Sequence, residues 1–142
     1  MIGSLTANID KLQHVQNTLA RVVSRRSRFD RATPLHADLH WLPVRYRIEY
    51  KLALITFKAL IRQEPQYLAD LIRMYEAPRQ LRPRGANILQ HSPATLNFSR
   101  NAFCHARHAA PAVWNKLSEI TVSIATFRSR LKTALYNHAF LQ

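Results

Sequence analysis

Apolar residues recur at helical spacing through the first part of the chain. Ile9, Leu12, Val15, Leu19, Val22 and Val23 line one face of a helix predicted over residues 9–28, while Lys11, Gln13, Gln16, Asn17 and Arg21 fill the other. A helix with a single apolar stripe needs a partner for it, so this stripe is predicted to face inward. Thr33 reads as an N-cap and Pro34 as the first residue of a short helix running to about Leu39. Pro43 opens the longest helix, which reaches Gln63. Val44, Ile48, Leu52, Ile55, Ala59 and Leu60 share one face of it, and Leu54, Phe57 and Ile61 form a second. An element apolar on two sides is predicted to be the buried centre of the fold. Trp41, just ahead of it, is expected to anchor its N-terminal end, with Pro43 as the starting residue.

Gln63-Glu64-Pro65 ends that helix, and a shorter one is predicted from Pro65 to about Met74 with Tyr67, Leu68, Leu71 and Ile72 inward. Tyr75 to Gly85 reads as a loop containing Pro78, Arg79, Arg82, Pro83 and Arg84. Ile88, Leu89, Leu96, Phe98, Phe103 and Val113 follow no helical period, so residues 86–96 and 100–107 read as two short strands of a hairpin. Ala109 to Leu117 reads as one or two helical turns anchored by Trp114. Ser123 or Thr126 caps a terminal helix with Phe127, Leu131, Ala134, Leu135 and His138 inward and Arg128, Arg130 and Lys132 outside. The pattern predicts a mainly α fold with minor β content (α+β minor), built as one domain over residues 1–142. Its parts are an amphipathic helix (9–28), a helical core (34–74), a basic Pro/Arg loop (75–85), a hairpin with a short helix (86–118) and a C-terminal helix (123–140).

Composition changes the picture only through charge. Apolar residues make up 47% of 142, enough for one modest core and too many for a disordered chain. Lys and Arg number 21 against 8 Asp and Glu, a net charge of +13, and 16 of the 21 are arginine. Arginine's planar fork suits phosphate better than lysine does, so the expected partner is a polyanion. RNA or DNA, held by non-specific phosphate contacts, ranks ahead of an acidic membrane surface, with a merely solvated basic surface as the plain alternative. Residues 76–142 carry nine basic and two acidic side chains, +7 of the total, and therefore dominate any binding face. The candidate contacts are Arg79, Arg82, Arg84, Arg100, Arg107, Arg128, Arg130 and Lys132, with Arg25, Arg26 and Arg28 second. Cations at the latter three positions also suit the negative end of the first helix's dipole.

No catalytic constellation stands out. His91, Cys104, His105 and His108 lack the spacing of a closed four-ligand zinc site. Cys104 has no orienting carboxylate near it in sequence, and reads as a buried thiol. Gly3 and Gly85 are the only glycines, which excludes a glycine-rich phosphate loop. The expectation is a non-enzyme with no metal and no cofactor. A single cysteine fits a reducing compartment. The N-terminus has no secretory pattern, and the apolar runs are broken by Lys51, Lys58 and Arg62 well short of the ~20 residues a bilayer span needs. A soluble intracellular protein, cytoplasmic or nuclear or both, is expected, with no membrane partner.

No internal repeat occurs, but several strings follow one another in a recognisable order. They are Leu12-Gln13-His14-Val15-Gln16-Asn17, Arg21-Val22-Val23, Thr33-Pro34, Asp38-Leu39-His40-Trp41-Leu42-Pro43-Val44, Arg47-Ile48 and Phe57-Lys58-Ala59-Leu60. Pro65-Gln66-Tyr67-Leu68-Ala69-Asp70-Leu71, Leu81-Arg82, Ala102-Phe103, Ala110-Pro111-Ala112-Val113-Trp114-Asn115-Lys116-Leu117 and Phe127-Arg128-Ser129-Arg130-Leu131-Lys132-Thr133-Ala134-Leu135 follow. This order resembles the extreme C-terminal region of the reverse transcriptase polyprotein of non-LTR (LINE-type) retrotransposons, from about residue 9 to 140. The resemblance implies a segment downstream of fingers, palm and thumb, with the reverse transcriptase core of a parent element as a second expected partner. It also implies no polymerase chemistry, because Asp10, Asp30, Asp38 and Asp70 each stand without the second aspartate that a palm metal site requires. The endonuclease of such elements lies far upstream. Two functions are therefore expected: a nucleic-acid-binding accessory module, or a segment that docks on the missing polymerase thumb. A truncated-element remnant with no selected function is the third possibility.

Overall fold

The computed structural model describes residues 2–75, 88–90, 114 and 123–141, with side chains from residue 6 onward. The fold is mainly helical: 71% of these residues lie in five helices. They are α1 (Ile2–Val23), α2 (Ala32–Asp38), α3 (Val44–Arg62), α4 (Gln66–Ala69) and α5 (Ile124–Phe140). The contacts group into two compact units, residues 1–50 with 129–142 and residues 51–128.

In the first unit, α1 begins seven residues before the predicted start, because no proline precedes Pro34 to stop it. It ends five residues early, at Val23, in a Schellman cap. Arg26 N–H donates to the Arg21 carbonyl (2.9 Å) and Arg25 N–H to that of Val22 (3.1 Å), with Arg25 at φ 51°. α2 closes in the same way. Trp41 N–H reaches the His36 carbonyl (2.8 Å), His40 N–H that of Ala37 (3.0 Å), and His40 sits at φ 53°. Left-handed backbone costs a side-chain-bearing residue roughly 1 kcal/mol relative to glycine, and these two caps accept it to satisfy terminal carbonyls. Thr33 is not the cap of α2. Arg31 is, without a side-chain hydrogen bond, and Pro34 takes the third helical position, where a missing N–H costs no intrahelical bond.

The main correction concerns which face of α1 is inside. Gln16 and Ala20 are buried and Gln13, Asn17 and Arg21 half-buried, whereas Leu12, Val15, Leu19, Val22 and Val23 are 50–68% exposed. The polar face is the glue. Gln16 Nε2 donates to the Leu42 carbonyl (2.9 Å), Val44 N–H donates to Gln13 Oε1 (2.9 Å), and Arg21 Nε donates to the Asp30 carbonyl (2.9 Å). Asn17 Oδ1 accepts from Gln13 Nε2 (2.9 Å) and lies 2.8 Å from His36 Nε2. The string Asp38–Val44 is thus a joint in which the Leu39, His40, Trp41 and Val44 N–H groups and the Leu42 and Pro43 carbonyls are all engaged. Trp41 closes α2, Leu42 holds Gln16, and the Pro43 carbonyl takes the first α3 bond from Arg47 N–H (3.1 Å), so Pro43 caps the helix rather than opening it. Trp41 is half-buried, 6.4 Å from the His36 ring. On α5, Tyr136 donates its hydroxyl to the Ala37 carbonyl (3.0 Å) and stacks on His40 (5.6 Å), and His138 meets Tyr46 edge-on (5.7 Å).

The second unit is built on aromatic rings. Phe57 of α3 stacks on Phe127 of α5 at 4.4 Å, and Trp114 tilts against both at 6.4 and 6.0 Å. All three are buried, as are Ala53, Thr56, Ala59 and Leu89. Thr56 is tolerated inside because its hydroxyl donates to the Leu52 carbonyl four residues back (2.8 Å). α3 is not apolar-buried on two sides: Ile48 and Ile61 are exposed. Helix α4 is only four residues long, and Tyr67 and Leu71, expected inside, are exposed. The chain turns extended instead, and Met74 forms an antiparallel bridge to Leu89. Tyr75 N–H donates to the Ile88 carbonyl and Gln90 N–H to that of Arg73, both at 2.8 Å. Residues 88–90 are therefore paired with 73–75. The predicted partner strand, 100–107, lies outside the described residues.

Candidate nucleic-acid interface

The basic cluster nearest the N-terminus is built by the end of α1 and the turn after it. Once the Schellman cap has reversed the chain, Asp30 N–H donates to the Ser27 carbonyl (3.1 Å) and Ser27 N–H donates to Asp30 Oδ2 (3.1 Å). Phe29 N–H reaches Ser27 Oγ at 3.4 Å, and Arg21 ties the Asp30 carbonyl back to α1. A turn fixed at both ends holds Arg25, Arg26, Arg28 and Arg31 exposed, four cations against the one carboxylate of Asp30. The Arg28 guanidinium carbon stands 4.7 Å from the centroid of the Phe29 ring, which is itself 81% exposed. Sequence reading found Arg25, Arg26 and Arg28 but passed over Phe29 and Arg31. The signal for them is a large apolar residue inside an arginine run, seven residues after Val22 and just past the predicted helix.

On α5 the other described candidates divide. At 100° per residue, Arg128 and Lys132 fall one turn apart on one flank of the buried Phe127–Leu131 stripe, while Arg130 falls on the opposite flank. All three are exposed. Ala134 and His138, expected inward, are exposed as well, because the helix is gripped through Tyr136 and the His138 ring edge instead. Arg79, Arg82, Arg84, Arg100 and Arg107 lie outside the described residues, as do His91, Cys104, His105 and His108. Trp114, the expected anchor of the 109–117 segment, is buried in the aromatic cluster.

Among the described residues His36 is the one buried ionisable side chain. Burial, and secondarily the Arg21 guanidinium, lower its pKa from the usual histidine value. Asn17 Oδ1 is already an acceptor for Gln13, so the proton sits on Nε2 and Nδ1 is bare, with no partner. That is a structural histidine held neutral. No group of three or more metal-binding side chains occurs among the described residues, and no described helix is long and apolar enough to cross a membrane. What the turn after α1 offers chemically is guanidinium groups and the displayed ring of Phe29. No known protein family, curated protein or solved structure matches the chain.

Proposed function

We propose that the chain is a non-catalytic, basic nucleic-acid-binding module akin to the C-terminal region of a non-LTR retrotransposon reverse transcriptase. The observation that carries the reading is the anchored turn after α1, where Arg25, Arg26 and Arg28 are exposed on backbone already fixed by four hydrogen bonds. Phosphates meeting them would lose little to ordering of the turn, and each contact would release condensed counterions. The flank formed by Arg128 and Lys132 supplies further cations of the same kind.

Fluorescence anisotropy of the purified chain against single-stranded RNA, single-stranded DNA and duplex DNA across a salt series tests it. Affinity should fall linearly in a log–log plot, and Arg25→Ala/Arg26→Ala/Arg28→Ala should reduce the slope by roughly 2 to 3. An unchanged slope would remove this turn from the interface. The same triple substitution at Arg79, Arg82 and Arg84 tests the Pro/Arg loop expected from sequence. Absence of binding near physiological salt would leave the charge incidental.

A second reading has its own observation. The exposed Leu12, Val15, Leu19 and Val22 repeat at alternating three- and four-residue spacing, the pattern of a helix that lies in an apolar groove. Lys11, Arg25 and Arg26 beside that stripe favour an acidic-rimmed groove, such as one on a polymerase thumb, over a second copy of a +13 chain. Size-exclusion chromatography with light scattering separates the two: a clean monomer at moderate concentration argues against a sticky docking face.

A further inference from the structure

We infer that Phe29, displayed on the turn after α1 with Arg28 against its ring, is a stacking platform for an unpaired base, which makes this surface selective for single-stranded nucleic acid. The inference rests on the phosphate-binding reading of the same turn and names the strand state it selects.

Three features of the turn carry it. Phe29 is among the most exposed large hydrophobic side chains of the described protein, at 81%, so the ring contributes little to the packing of the described residues. It is nonetheless held in place. The Phe29 N–H to Ser27 Oγ contact, the two Ser27–Asp30 hydrogen bonds and the Arg21 tie to the Asp30 carbonyl fix the backbone on both sides of it. Arg28 lies 4.7 Å from the ring centroid, so the pair offers a flat, cation-backed aromatic surface.

The surroundings set what can lie on that surface. Arg25 and Arg26 precede the ring in sequence and Arg31 follows it, all exposed, so a strand whose base meets Phe29 has several guanidinium groups of the same turn for its phosphates. In a duplex the base faces are buried in the stack, and only the backbone would reach these arginines. A single strand presents both faces and phosphates, and stacking on an aromatic ring is sequence-tolerant because every base has a π-face. Within the turn the arginines are donors only, and the Ser27 hydroxyl and Asp30 carboxylate already accept from backbone N–H groups, consistent with selection by strand state rather than by sequence.

The test uses the full chain with Phe29→Ala, Phe29→Tyr and Phe29→Trp against three labelled probes: a 20-nucleotide oligouridylate, a blunt DNA duplex of 20 base pairs, and inorganic polyphosphate, which has charge but no bases. Circular dichroism checks that helical content is unchanged. Phe29→Ala should weaken oligouridylate binding roughly five- to hundred-fold while leaving duplex, polyphosphate and the salt slope as they were. Phe29→Tyr and Phe29→Trp should restore it, and the new tryptophan should show added quenching on binding RNA. Equal losses on all three probes, or no loss on oligouridylate, overturn the stacking role while the phosphate reading survives. If the wild-type chain binds none of the probes, both readings fall. If Phe29→Ala leaves oligouridylate binding intact but abolishes self-association, the ring belongs to a protein interface with the exposed Val22 and Val23, and the inference is wrong.

Discussion

The two units hold themselves together by opposite means. In residues 51–128, three aromatic rings at 4.4 to 6.4 Å pack around Phe57, which α3 turns inward together with Ala53 and Ala59. In residues 1–50 with 129–142, α1 turns its amides inward and leaves leucine and valine in solvent. The difference follows from what each helix packs against. α3 meets side chains. α1 meets backbone: the Asp30 carbonyl ahead of α2, and the Leu42 carbonyl and Val44 N–H where α2 turns into α3, need partners, and the Gln13, Gln16 and Arg21 side of α1 supplies them. Leaving such groups unmade when buried costs about 1 to 3 kcal/mol each, enough to outweigh the burial of one side chain.

The aromatic side of this comparison should break hardest. Phe57→Ala removes the ring that stacks on Phe127 and touches Trp114, and should cost about 3 to 5 kcal/mol, measured by urea unfolding. A cost under 1 kcal/mol would mean the cluster is not a core. The amide side should yield less. Asn17→Ala strips the acceptor shared by Gln13 and His36 and should cost about 1 to 3 kcal/mol. A neutral result there would deny the polar network its structural role.

A third test reads the slope of stability against pH at His36. Its pKa in the folded chain is lowered by burial and by Arg21, so the unfolded chain takes up the proton first. The protein should keep its full stability above the unfolded value near 6.5 and lose it as pH falls below that, until the folded group also protonates. His36→Gln should flatten this fall in thermal melts between pH 7 and 5. A variant curve parallel to wild type would show that His36 does not carry the dependence.

Much of the helical architecture is legible in the chain. The 3.6-residue period of α1 and α3, Pro43 at the head of α3, and Phe127 and Leu131 on α5 are all local signals that tertiary packing leaves intact. What was not legible has a common cause. Periodicity says that Leu12, Val15 and Leu19 share a face, but the demand of distant carbonyls decides whether that face is inside. The end of α1 is not legible because Arg25 stands at φ 51°, where sequence reading looks for glycine, whereas the ends of α2 and α3 fall within one residue of Leu39 and Gln63, where they are expected. Phe29 is not legible because, seven residues after Val22, periodicity cannot tell a stripe residue from a displayed one, and its display depends on hydrogen bonds between Ser27, Asp30 and Arg21 that only the folded chain makes.

The smallest expected effect is the most diagnostic. Leu12→Gln with Leu19→Gln exchanges two leucines for a residue of nearly equal helix propensity, so any large change must come from burial. If the stripe faces solvent, as it does here, each substitution should shift unfolding by no more than about 0.5 kcal/mol and reduce self-association. If the stripe faced a core, each would cost about 2 to 5 kcal/mol, comparable to Phe57→Ala. A near-zero result beside a costly Asn17→Ala would establish that α1 is held by its amides. It would also place the apolar seam of the wild-type chain on the outside of a folded protein, which the docking reading needs and the phosphate-binding reading does not.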